Sequence, residues 1–350
     1  MKHDQTHPQI FNKGVWSLAP QGLLFGSSRD GNASPFPGMS RDGNVSNFPG
    51  SSRDGNVSRF PGSSRDGNVT NFPGSSRDGN VTAFFGDSLR CPGFYSAGYI
   101  PDTSDHRDAV YEFAARKKEL AAHVDLSKGG AFGPVEDQGP VQCCTAHAVT
   151  ALAEYGMSLH GKKPGKQLSR LFNYKVARGI LGVSGDIGAT VRESIKGLRR
   201  YGCPLEVAWP YEISFLEKEP VVRDFEVAEK FRRSWEYRRL DHPNIRQDDL
   251  LARLKRALAE GTPAAFGLGL PAAATSLKGP ASTIPVFQDH EPVAGRHCLL
   301  AVGYDERKKA LRVRNSWGKG WGDKGYAWLP YDYVLRYWAM DFWTLRRKTA

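Results

Sequence analysis

The sequence is short of cysteine. It has five in 350 residues (Cys91, Cys143, Cys144, Cys203 and Cys298), an odd number with no C-x-x-C pair and no Cys/His cluster at structural-zinc spacing. That argues against a disulfide scaffold and offers no metal site. Long apolar runs are missing too: the start, MKHDQTHPQIF, lacks the apolar core of a secretory signal, and no stretch reaches the length of a membrane span. A reducing cytoplasm is therefore the default compartment, with export by a route that uses no cleaved apolar signal left open. Also missing are aromatics interleaved with positive charge. Much of the net charge of +11 sits in residues 160–200, where ten Lys or Arg (Lys162, Lys163, Lys166, Arg170, Lys175, Arg178, Arg192, Lys196, Arg199, Arg200) face only Asp186 and Glu193. Without a nucleic-acid motif this reads as a solvated basic face, and no nucleic-acid partner is expected.

What the chain does have is a sharp internal boundary. From Ser27 to Gly86 a twelve-residue unit repeats five times, from SSRDGNASPFPG to SSRDGNVTAFFG. Each unit carries the turn dipeptide Asp-Gly and only about two apolar side chains, too few to offset the entropy of ordering its backbone. Residues 1–97 are accordingly read as an N-terminal arm or propeptide-like region, its repeats (27–86) flexible; a stacked solenoid is the alternative. The Asn-x-Ser/Thr triplets within the repeats carry no weight without a signal segment.

Residues 98–350 read as a globular domain with a helical part at about 98–261 and a β part at about 262–350. Helices are expected over about 107–122, from Cys144 onward (Ala146, Val149, Leu152 and Tyr155 on one stripe), over Gly185–Tyr201, and over Gln247–Glu260. From Thr262 the pattern turns to strands: PAAFGLGL, STIPVF, HCLLAVGYD, ALRVRN, GYAWLP and MDFWTL. Helices followed by strands make an α+β protein of two subdomains, with a cleft between them as the natural site.

The candidate chemistry begins with thiols at a helix start. Unpaired backbone N–H groups there favour a thiolate, so Cys143 and Cys144 can be nucleophiles or merely small buried hydrophobes. His297 opens an apolar strand from which its ring could face the helical half; a strand histidine can equally be structural. Asn315, in Arg314-Asn315-Ser316-Trp317-Gly318, offers an amide oxygen to hold such a ring, and an adjacent indole to shield that bond.

Together these residues resemble the papain-like cysteine peptidases. Gln138-Gly139 precedes Cys144, which stands six residues after the Gln; His297 opens a run ending Val302-Gly303-Tyr304; Asn315-Ser316-Trp317-Gly318 is followed by Trp321-Gly322 and Gly325-Tyr326. The similarity covers about residues 98–345 and is strongest to the bacterial, xylellain-type branch, which similarly has Pro-Asp-x-x-Asp-x-Arg-Asp (Pro101 to Asp108) and Cys-Thr-Ala. The resemblance implies a papain-like two-subdomain fold with an antiparallel, barrel-like β half. It implies Cys144 as nucleophile, His297 as acid and base, Asn315 as the ring-orienting residue and Gln138 as oxyanion donor. It further implies Trp317 over the His–Asn bond, Trp321 on the leaving-group side, and a substrate contact from the Gly185–Gly188 stretch, with Gly188 among the substrate-binding residues. Arg296, which the family pattern does not supply, is a further candidate: facing the cleft it would favour acidic substrate side chains, facing solvent it would do nothing. No metal or organic cofactor has a role in that scheme. The expected partner is a protein or peptide substrate, and the expected state a monomer made as a precursor.

Departures from the pattern are Val141, where relatives have a disulfide cysteine, Gln142 and Cys143 in place of Gly and Ser, and Arg296 before the histidine. Cys143 raises the expectation of coupling to Cys144 under oxidant. No helical inhibitory propeptide is visible, so cleft occlusion by residues 1–26 or 87–100 is an expectation only. Two alternatives stay open: another acyl transfer on the same residues, transamidation or ester hydrolysis, and a repeat-bearing scaffold with an inactive peptidase fold.

Overall fold

In the computed structural model the described residues are 15–18, 24–27, 33–34, 98–113, 119–159, 167–230, 232, 235–242 and 244–347. Near the start, β1 (Val15–Leu18), β2 (Leu24–Ser27) and β3 (Ala33–Ser34) form a three-stranded antiparallel sheet, Val15 opposite Ser27 and Gly26 opposite Ser34. The reading of the repeats as a flexible arm lies, apart from Ser27 and Ala33–Ser34, outside the described residues.

The second unit is built on a mixed set of helices and one antiparallel sheet. Its strands are β4 (His123–Asp125), β5 (Trp235–Arg239), β6 (Ala264–Leu270), β7 (Gly295–Asp305), β8 (Ala310–Arg314), β9 (Tyr326–Pro330) and β10 (Ala339–Arg347). The sheet is open, with order β5-β10-β6-β7-β8-β9 and β4 also paired with β7. Its helices are α1 (Cys144–Ser158), α2 (Arg170–Leu181), α3 (Val191–Tyr201), α4 (Val222–Glu229), α5 (Gln247–Ala259) and the short α6 (Asp332–Leu335). β4 and β5 join the sheet although they precede residue 262.

α5 shows why these segments take these forms. Asp248 and Asp249 in its first turn and Arg256 in its last complement the helix dipole, and Gly261, at φ +76°, ends it. Leu250, Leu254 and Leu258 lie on one buried stripe over the sheet. Each contributes on the order of 1.5–3 kcal/mol through burial. In the same core Phe266 and Phe342 stack with ring centroids 4.8 Å apart.

Three local expectations are corrected. Residues 107–113 form no helix: Tyr111 donates its N–H to the Arg239 carbonyl (2.8 Å) and Arg239 returns a bond to Ala109 (2.8 Å), so this segment's backbone groups go to the edge of β5. The helix expected from Gly185 begins at Val191, with the Thr190 hydroxyl accepting from the Glu193 N–H as its cap, because residues 185–189 are turned outward from helical geometry, with Gly185 and Gly188 at positive φ. STIPVF is no named strand, although Ile284 donates to the Trp328 carbonyl at 2.8 Å.

The basic stretch is also not simply a solvated face. Arg170, Lys175, Arg178 and Arg192 are buried, and each has an acidic partner: Arg170 with Glu154 (2.9 Å), Lys175 with Glu219 (2.6 Å), Arg178 with Glu217 (2.8 Å) and Arg192 with Asp108 (2.7 Å). Burial of a charge is tolerated only with such a partner, and these partners lie in other parts of the sequence. Among the described residues, no helix is long and apolar enough to cross a membrane.

Candidate active site

α1 starts at Cys144, after Cys143 at φ −110° and ψ 27°. Both thiols are fully buried, and all four described cysteines are free. The backbone N–H groups of Gly98, Cys298 and Thr145, with that of Cys144 itself, lie near the Cys144 sulfur and favour its thiolate. Burial outweighs them and pushes the thiol up to about 12. This reverses the sequence expectation of a thiolate lowered by the helix start: the dipole and N–H groups are present, but the sulfur is shut away from water.

The Cys298 backbone lies near the sulfur on β7, where His297 is the neighbouring residue. His297 Nε2 lies 2.7 Å from Asn315 Oδ1, and His297 Nδ1 is buried with no hydrogen-bond partner. Trp317 packs over the imidazole at 4.4 Å between centroids, and Trp321 meets Trp317 edge-on at 5.6 Å. The Trp321 indole is fixed by donation to the Ala274 carbonyl at 2.8 Å. Burial lowers His297 to about 4, against the opposing pull of the Asn315 bond. Burial thus disfavours the charged form of both groups.

Gln138 is buried beside this group. Its backbone N–H donates to the Ser316 carbonyl (2.8 Å), its Nε2 donates to the Val141 carbonyl (2.8 Å), and its Oε1 accepts from the Ser316 hydroxyl (2.6 Å). Ser316 also donates its N–H to Asn315 Oδ1 at 2.7 Å. One serine thus fixes both Gln138 and Asn315. The sequence quoted it inside a motif but gave it no role; its polar side chain between two functional residues was the available signal.

Gly188 is held by two anchors. Its N–H donates to the Tyr174 hydroxyl (2.8 Å), and that hydroxyl donates to Asp186 Oδ1 (2.9 Å), the oxygen that also accepts from the Gln142 N–H (2.9 Å). The Gly188 loop is therefore tied to the residues just before α1. At φ +92°, a Cβ on Gly188 would sit 2.3 Å from the Gly98 carbonyl oxygen. Arg296 presents its backbone carbonyl, which accepts from the Tyr99 N–H at 3.3 Å.

The sequence named residues 87–100 as one candidate for occluding the cleft; the structure describes only the last three of them, and they lie among the site residues. Gly98 accepts from the Ala189 N–H (2.9 Å) and Ile100 donates to the Ala189 carbonyl (2.9 Å), so the segment pairs in parallel with the Gly188–Ala189 edge. A Cβ on Gly98 would fall 1.8 Å from the Gln142 carbonyl oxygen, so the close approach requires glycine. Residues 91–97, and with them the rest of the expected occluding stretch, lie outside the described residues.

Cys143 faces elsewhere: its sulfur is 2.9 Å from the Tyr211 hydroxyl and 3.4 Å from His147 Nδ1, and burial raises its thiol. A small recess beside Asn315 is lined by Glu136, His147, Cys298, Arg314 and Asn315, among others. Among the described residues, no group of three or more His, Cys, Asp or Glu is placed to hold a metal ion.

An α+β fold that carries a buried thiol at a helix start, an imidazole held by an asparagine amide and an indole over the pair defines a thiol peptidase. Residues 120–334 match the papain family cysteine protease model, more than half of the chain, and the chain belongs to that family of cysteine-type peptidases. It is similar to xylellain, a cysteine protease from Xylella fastidiosa, whose crystal structure superposes with a TM-score of 0.64 at 32% identity over 72% of this chain and 96% of that one. An uncharacterised peptidase C1-like protein of Acanthamoeba polyphaga mimivirus is 32% identical over 272 residues, 72% of this chain and 87% of the viral one. Cathepsin K of Gallus gallus is 26% identical over 244 residues, 66% of this chain and 61% of that protein.

Proposed function

We propose that the protein is an endopeptidase acting through Cys144, His297 and Asn315, with Gln138 as side-chain donor to the oxyanion. The observation that carries this reading is the His297–Asn315 bond of 2.7 Å under Trp317, with the other imidazole nitrogen left unpartnered on the strand whose Cys298 backbone lies near the Cys144 sulfur.

In the reaction His297 takes the thiol proton and the Cys144 sulfur attacks the scissile carbonyl, forming a C–S bond. The carbonyl electrons move onto oxygen, where the Gln138 amide and the Cys144 N–H stabilise them. As the carbonyl re-forms, the C–N bond breaks and His297 gives its proton to the leaving amine. Water, deprotonated by His297, then attacks the thioester, and the thiol returns with the released acid.

On this reading the enzyme is made as a precursor with a closed cleft. Residues 98–100 pair with Ala189 and Arg296, an edge on which a peptide would lie, and burial that disfavours a charged Cys144 and His297 supports a resting state. Displacement of this segment readmits water, stabilises the thiolate and imidazolium, and exposes the edge. Gly188, Arg296, Trp317 and Trp321 then border the substrate, Gly188 and Arg296 by backbone.

The test is an active-site-directed epoxide on the full chain and on Cys144→Ala, followed by cleavage of a peptide library. Labelling and cleavage that both vanish in Cys144→Ala support the reading. A wild-type protein that hydrolyses esters or transfers acyl groups but cuts no peptide would favour the alternative chemistry.

A further inference from the structure

His147 stands three residues after Cys144 in the first turn of α1, and the peptidase reaction gives it no part. It is 5% exposed, with Nδ1 lying 3.2 Å from the Cys143 carbonyl oxygen and 3.4 Å from the Cys143 sulfur. The neighbours decide which ring atom carries the hydrogen. The Tyr211 hydroxyl donates to the Gln138 carbonyl at 2.9 Å, so the Cys143 thiol, 2.9 Å from the same hydroxyl, donates to the Tyr211 oxygen and not to the imidazole. Nδ1 therefore donates to the Cys143 carbonyl, and Nε2 of the neutral ring is an acceptor. Burial first, and the charge of Arg170 second, lower His147 to about 3 and favour that neutral ring.

A donor without a partner lines the same recess. Asn315 gives its Oδ1 to His297 Nε2 (2.7 Å) and to the Ser316 N–H (2.7 Å), while its Nδ2 is buried with no hydrogen-bond partner in a side chain 4% exposed. The recess that Asn315 and His147 both line has a volume of about 10 Å³, the room of about one water molecule. The charged groups that share it are committed elsewhere. The Arg314 guanidinium donates to the Gly133 carbonyl (3.0 Å) and the Tyr326 hydroxyl (2.8 Å), and the Glu136 carboxylate accepts from Gln167 Nε2 and faces Arg170 at 3.6 Å. An amide donor and an imidazole acceptor are left, the pair that a single water joins.

We propose that His147 is a positioning residue for Asn315: through one buried water held between His147 Nε2 and Asn315 Nδ2, it keeps the amide turned with its oxygen toward His297. The proposal rests on the peptidase reading above. An amide turned over would set Nδ2 against the His297 N–H, donor against donor, and a bridge to an acceptor on the Nδ2 side opposes that turn. The Asn315 oxygen is what favours the charged His297 ring, so the hold on the amide is felt where the imidazolium forms. Cys143 and Tyr211 act at the other end of the same ring, where the Cys143 carbonyl seats Nδ1 and so aims Nε2.

The experiment compares His147→Gln with His147→Asn in the full chain. A glutamine amide reaches the place of Nε2 and can accept there, whereas an asparagine amide reaches only the place of Nδ1 and keeps the bond to the Cys143 carbonyl. His147→Asn is expected to lower kcat roughly threefold to tenfold with KM nearly unchanged. It is also expected to move the alkaline limb of the kcat/KM profile down by about half a pH unit, because a loosely held Asn315 lets His297 lose its proton earlier. His147→Gln is expected to rescue both. Equal behaviour of the two variants, whether parent-like or impaired, would overturn the proposal, and so would the reverse order, which a residue acting only on Cys143 would give. A crystal structure of the parent chain reads the same point without turnover. One ordered water within about 3.2 Å of both nitrogens is expected, and a dry recess would overturn the proposal. Epoxide labelling of Cys144 in the same samples separates the two failures. A parent that labels and cleaves, with variants that do not differ, removes only the role of His147, whereas a parent that neither labels nor cleaves removes the peptidase reading.

Discussion

The Ser316 hydroxyl donates to Gln138 Oε1 at 2.6 Å while the Ser316 N–H donates to Asn315 Oδ1 at 2.7 Å, so one residue sets the oxyanion donor and the ring-orienting amide together. Ser316→Ala keeps the backbone bond and removes the one to Gln138. The Gln138 amide then loses about 0.5–1.5 kcal/mol of positioning. A fall in kcat of roughly threefold to tenfold is expected, with KM nearly unchanged, because the lost contact acts on the transition state. Steady-state kinetics on a peptide substrate checks this; a change confined to KM would contradict it.

Gly98→Ala is expected to activate the full chain. The new Cβ would lie 1.8 Å from the Gln142 carbonyl oxygen and 2.3 Å from its carbon, backbone atoms that cannot rotate away. With the segment displaced, Cys144 and His297 regain water and their shifts relax, so a neutral-pH ultraviolet titration should show a thiolate in Gly98→Ala that the parent chain lacks. Equal thiolate signal and equal activity in both would show that residues 98–100 do not hold the site closed.

The closed form should lose stability on acidification. His297 is lowered by burial to about 4 in the fold and is near 6.5 when unfolded. A group depressed in this way contributes stability above its unfolded value, and that contribution is lost as pH falls through 6.5 toward 4. His147, lowered to about 3 by burial and the nearby Arg170, acts in the same direction. Thermal melts between pH 7 and pH 4 should fall steadily, and His297→Asn should flatten the upper part of that window. An unchanged slope in His297→Asn would assign the acid sensitivity to other groups.

Arg170 tests the buried ion pairs. It is 1% exposed, 2.9 Å from Glu154, and donates to the Leu168 carbonyl at 2.6 Å. Arg170→Met leaves Glu154 uncompensated, and a loss of about 3–5 kcal/mol is expected in denaturant unfolding. Arg170→Met combined with Glu154→Gln should recover part of it. A loss below about 1 kcal/mol in the single variant would return this stretch to the solvated face its composition suggested.

The parts legible in the sequence were those with a local pattern. The stripe of α5, the strands β6 to β10 and the separated Cys144, His297 and Asn315 motifs all announce themselves by periodicity or by residue type. α2 did not, because Arg170, Lys175 and Arg178 look solvent-facing until their acidic partners, distant in sequence, are brought alongside. The helix expected at 107–122 failed in its described part for a related reason: Asp108 is spent on Arg192 and Arg239, and the backbone on β5. The role of Gly98 depends on its contact with Gln142, and no spacing rule connects those positions.

The most direct measurement is the location of an epoxide or peptidyl ketone adduct by peptide mass mapping in the full chain, in parallel with Gly98→Ala. A single adduct on Cys144, formed faster in Gly98→Ala and absent from Cys144→Ala, is the expected result. An adduct on Cys143 or Cys298, or no adduct in either protein, would contradict the assignment of the nucleophile.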